Sequence, residues 1–332
     1  MSARAVCITG VAGFLGSSLA RRLLGEGWSV SGIDNFSHGG QSRVAGLAQQ
    51  GAFRFVEGDV RDSAAMTNAV SGCRHVVHLA EVKIPRYGHA LETLEVNVLG
   101  VEAALEAART AGAAFVLGST DEVYGKNPDA TLNEEGALVM GRTDSSRWSL
   151  GVSKLMAEQL ALAFRDEYQL PVTILRYFGL YGPGQATDWT GGPQAVFVTN
   201  ALKGEALPIH GDGLQVRTFT HIDDAVRGTM LALETPYARG EIVNLAGRDH
   251  VNIINLAYMI WRLSRNPAKP ALEFTPYSDF TRNYEDVPHR IADGTKARYL
   301  LGFEPQVPLE AGFASTVEWQ AKVLGLSLGT PA

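Results

Sequence analysis

The stretch Ala5-Val-Cys-Ile-Thr-Gly10-Val-Ala-Gly13-Phe-Leu-Gly16 decides the fold. Its first five residues form a short apolar run, which is typical of a buried parallel strand. Three glycines follow in a Gly-x-x-Gly-x-x-Gly pattern, and apolar residues then recur at helical spacing as far as Gly25. A strand, a glycine turn and a helix N-terminus bring backbone N–H groups onto a pyrophosphate. The sequence therefore predicts a dinucleotide-binding unit here.

The following residues repeat this alternation of strand and helix. Strands are predicted at residues 5–9, 28–33, 53–57, 75–79, 114–117 and 172–177, and helices at 14–25, 62–70, 91–111 and 149–168. Such alternation predicts an α/β fold with a Rossmann-like, doubly wound parallel sheet. We expect residues 1–178 to form the nucleotide-binding domain, joined by returning segments at about 214–247. Residues 179–332 are expected to form mainly a smaller α/β substrate domain.

Composition excludes several classes of protein. The 332 residues, 45% hydrophobic and 19% charged, are typical of a soluble globular protein of one large domain or two. A net charge of −6 argues against nucleic acid or an anionic membrane as the main partner. Cys7 and Cys73 predict neither a disulfide framework nor a metal site. Neither a signal peptide nor an apolar stretch of about 18 residues is present, so a cytoplasmic protein is expected.

Asp34 ends the second predicted strand. An acid there accepts hydrogen bonds from both hydroxyls of an adenosine ribose and repels a 2′-phosphate, which favours NAD over NADP. A helix cap or a turn aspartate is the alternative interpretation.

Nine short motifs occur in one order, at residues 9–16, 58–62, 78–80, 97–100, 119–125, 176–178, 211–213, 217–224 and 290–293. Together they resemble the NAD-dependent nucleotide-sugar epimerase/dehydratase family of extended short-chain dehydrogenases, over nearly the whole chain. The resemblance implies bound NAD, oxidation of a sugar at C4, and a transient ketone that acidifies the neighbouring C–H bond. Epimerisation, dehydration or decarboxylation can then follow on one fold.

The resemblance also implies the residues of the cofactor site. Those predicted to contact NAD are Gly10, Gly13, Phe14, Leu15, Gly16, Asp34, Asn35, Asp59, Val60, Leu79, Ala80, Asn97, Lys154 and Tyr177.

Leu150 departs from the family pattern. The stretch Trp148-Ser-Leu-Gly-Val-Ser-Lys154 resembles the Tyr-x-x-x-Lys motif, with leucine in place of the tyrosine. A phenol takes a proton from a sugar hydroxyl, and an isobutyl group cannot. Lys154 is implied to hold the nicotinamide ribose.

Thr120, Asp121 and Glu122 follow the fifth predicted strand, at the sheet edge where doubly wound folds bind ligands. The resemblance implies that Thr120 contacts the sugar O4, Asp121 protonates a departing 6-hydroxyl, and Glu122 removes the C5 proton. Adjacent carboxyl groups can divide these roles if their environments separate their pKa values. The alternatives are exposed loop acids or a helix cap.

Other features favour different branches of the family. Arg147-Trp148 resembles UDP-glucuronate decarboxylases and related epimerases, and Gly179 stands where the family usually has asparagine. Arg217 and Arg290 are predicted to bind the substrate because guanidinium groups suit phosphate oxygens. Either arginine alone could equally form a surface ion pair. The predicted substrate contacts are Lys83, Thr120, Gly179, Val196, Arg217 and Arg290.

Three interpretations of Leu150 remain open. Another group acts as base (Asp121, Glu122, a water held by Thr120 or, less favoured, Tyr124); the leucine is a deliberate substitution; or the chain binds sugar nucleotides without redox activity. The best single prediction is an NDP-hexose 4,6-dehydratase acting on a UDP- or dTDP-linked sugar. A UDP-sugar C4-epimerase and a UDP-glucuronate decarboxylase are the alternatives. On resemblance alone, helices 91–111 and 149–168 predict a homodimer.

Overall fold

A parallel sheet of seven strands forms the centre of the protein. The computed structural model describes residues 4–83, 89–279 and 284–329. In spatial order the strands are β3 (Phe53–Glu57), β2 (Ser29–Asp34), β1 (Ala5–Thr9), β4 (His75–His78), β5 (Ala114–Thr120), β6 (Val172–Tyr177) and β11 (Ile242–Leu245). The chain winds from β1 outwards to β3 and then restarts at β4 on the other side of β1. Doubly wound sheets bind ligands at this switch point, outside the carboxyl ends of the strands.

Helices cover both faces of the sheet because successive strand residues point to opposite sides. Val6 and Ile8 join the core beneath α1, α7 and α9, while Cys7 joins the core beneath α3, α4 and α5. The ten helices of the described ranges are α1 (Phe14–Gly25), α2 (Gln41–Ala48), α3 (Ser63–Val70), α4 (Ala90–Ala111), α5 (Ser149–Tyr168), α6 (Pro193–Lys203), α7 (Ile222–Glu234), α8 (Ile253–Ser264), α9 (Thr295–Leu301) and α10 (Leu309–Leu324).

The later part of the chain builds a smaller core between α6, α8 and α10, around Phe197, Leu256 and Phe313. Its strands form three short sheets, β7 (Leu180–Tyr181) with β10 (Thr220–His221), β8 (Leu207–His210) with β13 (Leu272–Thr275), and β9 (Val216–Thr218) between β12 (His250–Asn252) and β14 (His289–Arg290). Residues 242–245, within the segment predicted to return, form the edge strand β11 of the large sheet.

The predicted fold class, a doubly wound parallel α/β sheet, is confirmed. Among the helices of residues 4–178, α2 is the one that the sequence did not predict. It begins after Gly40 without a capping side chain and buries only Val44 and Leu47, so its periodic signal is weak. By contrast, α3 begins at a true cap, because the Asp62 side chain accepts hydrogen bonds from the backbone of Ala64 and Ala65.

Across the described ranges, no helix has both the length and the apolar character needed to cross a bilayer. The same ranges hold no group of three or more histidine, cysteine or acidic side chains that could bind a metal ion.

Candidate active site

The glycine turn lies at the switch point and joins β1 to α1. The Gly10 N–H donates to the Ile33 carbonyl at 2.9 Å and the Gly13 N–H to the Gly10 carbonyl at 3.0 Å. A Cβ on Gly16 would collide with the Gly10 carbonyl oxygen, so the helix can start this close to the turn only with glycine there. No side chain caps the N-terminus of α1, which leaves backbone donors for an anionic group.

Asp34, at the end of β2, is fixed against this turn. Its carboxylate accepts hydrogen bonds from the backbone of Ala12 at 2.9 Å and of Phe36 at 2.8 Å, one on each oxygen. Each oxygen retains a further acceptor site for a ribose hydroxyl. The next residue, Asn35, donates to the Asp59 carboxylate at 3.3 Å and so joins two of the predicted cofactor residues.

The loop after β4 is tied down on both sides. The Thr9 hydroxyl accepts from the backbone of Leu79 at 3.0 Å and of Ala80 at 3.1 Å. The amide of Asn97, on α4, bonds to both the N–H and the carbonyl of Val82, at 2.8 and 3.1 Å. The amide oxygen and nitrogen of Asn97 therefore hold this loop in place. A polar contact from Asn97 to the cofactor would have to use the same two atoms.

The other predicted cofactor residues lie at the start of α1 or at or just after the carboxyl ends of strands β3 and β6. Phe14 and Leu15 form the first turn of α1. Val60 is buried beside α4, at Gly100. The Tyr177 hydroxyl, at the end of β6, is bonded to Thr229 at 2.7 Å.

Leu150 and Lys154 lie one turn apart on α5, at its N-terminal end. Leu150 is 9% exposed and Lys154 is 1% exposed. The Lys154 ammonium donates to the Gly118 carbonyl at 2.8 Å and forms an ion pair with Glu81, also at 2.8 Å. Sequence reasoning missed Glu81. The sequence gives one indication of this residue: an acidic side chain directly follows His78-Leu-Ala80, where β4 reaches the ligand edge of the sheet.

Thr120 ends β5, and the two acids open the 3₁₀ turn Asp121–Tyr124 against which α5 packs. The Thr120 hydroxyl donates to Asp121 at 3.1 Å. The Glu122 carboxylate is held by two buried guanidinium groups, Arg147 at 2.7 Å and Arg290 at 2.6 and 2.8 Å. Thr120, Asp121 and Glu122 thus form one cluster, and neither acid is an exposed loop residue.

The environments of Asp121 and Glu122 shift the pKa values of the two carboxyl groups in opposite directions. Burial raises the pKa of Asp121, with a further contribution from the neighbouring Glu122, while Arg290 opposes the shift. Burial also disfavours the ionised form of Glu122, but Arg147 and Arg290 outweigh it and hold the pKa of Glu122 well below its usual range. One carboxyl group is thus biased towards the protonated state and the other towards the ionised state.

Arg217 and Arg290 lie side by side, because β9 and β14 pair with these two residues in register. Arg217 contacts Asp286 at 3.0 Å, and Arg290 contacts Glu122. Both predicted phosphate-binding arginines therefore carry a carboxylate partner in this structure.

Three predicted substrate residues lie nearby without a shared polar contact. Gly179 has φ +39°, and a Cβ there would press on the Thr218 carbonyl oxygen at 2.5 Å, so close backbone approach explains the glycine in place of asparagine. Val196 is buried on α6. Lys83 is exposed, next to residues 84–88, which lie outside the described ranges.

Residues 6–246 match the model of the NAD dependent epimerase/dehydratase family. The chain belongs to this family. Among its relatives, the UDP-N-acetyl-alpha-D-glucosaminuronate decarboxylase of Bacillus cytotoxicus is 33% identical over 315 residues, covering 94% of this chain and 96% of the relative. The dTDP-glucose 4,6-dehydratase of Streptomyces niveus is 31% identical over 332 residues, covering 95% and 92%.

Among solved structures, the dTDP-glucose 4,6-dehydratase of Streptomyces venezuelae, with NAD bound, superposes with a TM-score of 0.86. It is 30% identical, and the match covers 97% of this chain and 98% of that one. The predictions of an enzyme of this family and of NAD as cofactor are confirmed. The uncapped α1 N-terminus and the Asp34 carboxylate suit this cofactor's pyrophosphate and adenosine ribose.

Changing Asp34 to asparagine keeps an acceptor for the ribose hydroxyls but removes the charge that repels a 2′-phosphate. We expect the affinity for NADP relative to NAD to rise by about tenfold, measured by titration calorimetry with each cofactor. Glu57→Gln is the matched control, because Glu57 is exposed on β3 in register with Asp34. An equal change in both variants would contradict the assignment of Asp34.

Proposed function

We propose that this member of the family is an NDP-hexose 4,6-dehydratase acting on a UDP- or dTDP-linked sugar. The observation that carries the proposal is the adjacent pair Asp121 and Glu122, whose pKa values are shifted in opposite directions. Pairs of carboxyl groups with separated pKa values are the usual basis of an acid and a base in one site. The 31% identity to a Streptomyces niveus 4,6-dehydratase supports the same reaction.

In this proposal Thr120 binds the sugar O4 and Asp121 gives its proton to the departing 6-hydroxyl. Bound NAD would supply the hydride acceptor for oxidation at C4 and the hydride donor at the end of the cycle. Two observations support these roles: Thr120 lies at the carboxyl end of β5, and its hydroxyl donates to Asp121. One short turn therefore presents both the group that orients the sugar and the acid.

Glu122 serves as the base that removes the C5 proton. Its two guanidinium partners keep it ionised, which a base requires, but they also weaken it as a proton acceptor. When a sugar diphosphate draws Arg290 towards its phosphate oxygens, Glu122 loses one of these partners and its basicity rises. Substrate binding would in this way activate the base.

Decarboxylation is the second candidate, and Arg147 favours it. Arg147 and Arg290 together hold the carboxylate of Glu122, so the same pair of arginines is suited to a uronate carboxylate. The Bacillus cytotoxicus relative, 33% identical, is a decarboxylase of a sugar uronate.

We also propose a homodimer formed through α4 and α5. These two long helices pack on each other, and the exposed apolar side chains Leu99, Val152 and Met156 lie on their outer surfaces. A second pair of the same helices would cover these side chains and close a four-helix bundle.

The reaction is tested by incubating the protein with NAD and UDP-glucose, dTDP-glucose or UDP-glucuronate. NADH absorbance and the mass of the products are followed. We expect loss of one water from a hexose substrate. Loss of carbon dioxide from the uronate would favour the decarboxylase, an unchanged mass with a new stereoisomer the epimerase, and binding without turnover a protein that has lost redox chemistry.

A further inference from the structure

Lys154 is paired with a carboxylate, in a chain whose motif has leucine instead of the usual tyrosine. Leu150 cannot exchange a proton, yet the buried ammonium one turn away is paired with Glu81. We propose that Glu81 is a catalytic base in this protein, and that its carboxylate accepts the proton of the sugar hydroxyl that is oxidised. This inference rests on the proposed function only in requiring oxidation of a sugar hydroxyl.

The contact geometry supports a paired but accessible carboxylate. The Lys154 side chain is 2% exposed, whereas the Glu81 side chain is 32% exposed. A buried ammonium needs a counter-charge, and the Gly118 carbonyl supplies only a dipole. Glu81 provides the charge and remains open to a ligand, whereas Lys154 is enclosed.

Rigid elements hold Glu81 in place. The residue before it is tied to β1 through the Thr9 hydroxyl, and the residue after it is tied to α4 through Asn97. The Asn97 amide also donates to Ser153, on α5 directly before Lys154, at 3.0 Å. One polar side chain therefore links the loop that carries Glu81 to the helix that carries its partner, which fixes the pair as a unit.

Five other titratable side chains at the carboxyl ends of β4, β5 and β6 are less suited to accept this proton. Two arginines hold Glu122, and burial raises the pKa of Asp121, which suits it to be an acid. Burial also raises the pKa of Tyr177, and that of Tyr124 to about 12, and both hydroxyls are bonded to neighbouring side chains. Burial, with a contribution from Lys154, lowers the pKa of His78 to about 3.

The proposed step is an ordinary alcohol oxidation. The O–H bond of the sugar hydroxyl breaks and its proton passes to the Glu81 carboxylate. Bound NAD would accept the hydride that leaves when the C–H bond on the same carbon breaks, and a ketone would remain. Lys154 stabilises the carboxylate before transfer, and the protonated Glu81 can return the proton when the ketone is reduced.

The test compares wild type, Glu81→Gln, Glu81→Asp, Leu150→Tyr and the double variant Glu81→Gln/Leu150→Tyr. The readouts are single-turnover NADH formation with saturating UDP- or dTDP-sugar, and calorimetric binding of the same nucleotide sugar. Glu106→Gln is the control, because Glu106 is an exposed ion-paired acid on α4. We expect Glu81→Gln to slow NADH formation by about 10²–10⁴-fold with binding unchanged, and Glu81→Asp to recover part of the rate.

The tyrosine background separates a base from a structural ion pair. A restored phenol should make Glu81 dispensable, so Glu81→Gln should cost less than about tenfold in Leu150→Tyr. Equal losses in both backgrounds, or a Glu81→Gln rate equal to that of Glu106→Gln, would overturn the proposal. So would a wild-type chain that binds the nucleotide sugar and NAD but forms no NADH. A product other than the dehydrated sugar would refute the proposed function alone, because the oxidation step is common to all three reactions.

Discussion

Changing Asp121 to asparagine is expected to slow the release of water from the sugar by about 10²–10⁴-fold, the usual contribution of a general acid. An amide occupies nearly the same volume and can still accept from Thr120, but it has no proton to give a departing hydroxide. Oxidation of the sugar does not use this proton. The variant should therefore form NADH at the normal rate and then stall at the ketone, which rapid quenching and mass analysis would detect.

The pH dependence gives a second signature of Asp121. Because burial raises its pKa, the protonated acid persists to higher pH than for an ordinary aspartic acid, and dehydration falls as the pH rises through that raised pKa. The groups that set the value are Glu122, which raises it, and Arg290, Arg217 and the Thr120 hydroxyl, which lower it. Asparagine should abolish this limb of the profile.

Asp166→Asn is the control for both experiments, since Asp166 is an exposed acid near the end of α5, paired with Arg165. It should leave the rate and the profile as in the wild type. If Asp121→Asn released product at the control rate, the acid would have to be another group.

Some residues of the site can be predicted from the sequence, because their positions depend only on the spacing of residues within one strand or helix. The glycine turn, Asp34 and Lys154 each lie in or beside a strand or helix whose apolar pattern places them at the ligand edge. The run from Thr120 to Glu122 behaves in the same way, since it directly follows a buried strand. These residues needed only the alternation of elements to be brought together.

The ion-pair partners of these residues could not be predicted from local sequence patterns. Glu122 and Arg290 are 168 positions apart, and Glu81 meets Lys154 only because β4 and α5 reach the same edge of the sheet. Which side chains share a buried pair depends on the packing of whole elements, and no local pattern reports it. The same holds for Gly179, whose departure from the family pattern has its cause in the backbone at Thr218.

We expect the buried ion pair between Glu158 and Arg176 to contribute strongly to the free energy of unfolding. Glu158 on α5 accepts from Arg176 on β6 at 2.9 and 2.7 Å and from Ser119 on β5 at 2.5 Å, and both charged side chains are 2% exposed. Changing Glu158 to glutamine leaves the guanidinium buried without its counter-charge. We expect the free energy of unfolding to fall by about 3–5 kcal/mol, measured as a lower denaturant midpoint with an unchanged slope.

Replacing both partners separates the cost of an unpaired buried charge from the cost of altered packing. In Glu158→Leu/Arg176→Met no charge is left buried, so this double variant should be more stable than Glu158→Gln despite the larger change in sequence. Glu106→Gln, which breaks an exposed pair with Arg109 on α4, should leave the midpoint close to that of the wild type. A Glu158→Gln midpoint equal to that of Glu106→Gln would mean that water or a neighbouring group compensates Arg176. The pair would then not be what fixes Ser119, and with it Thr120 and the acids that follow, at the end of β5.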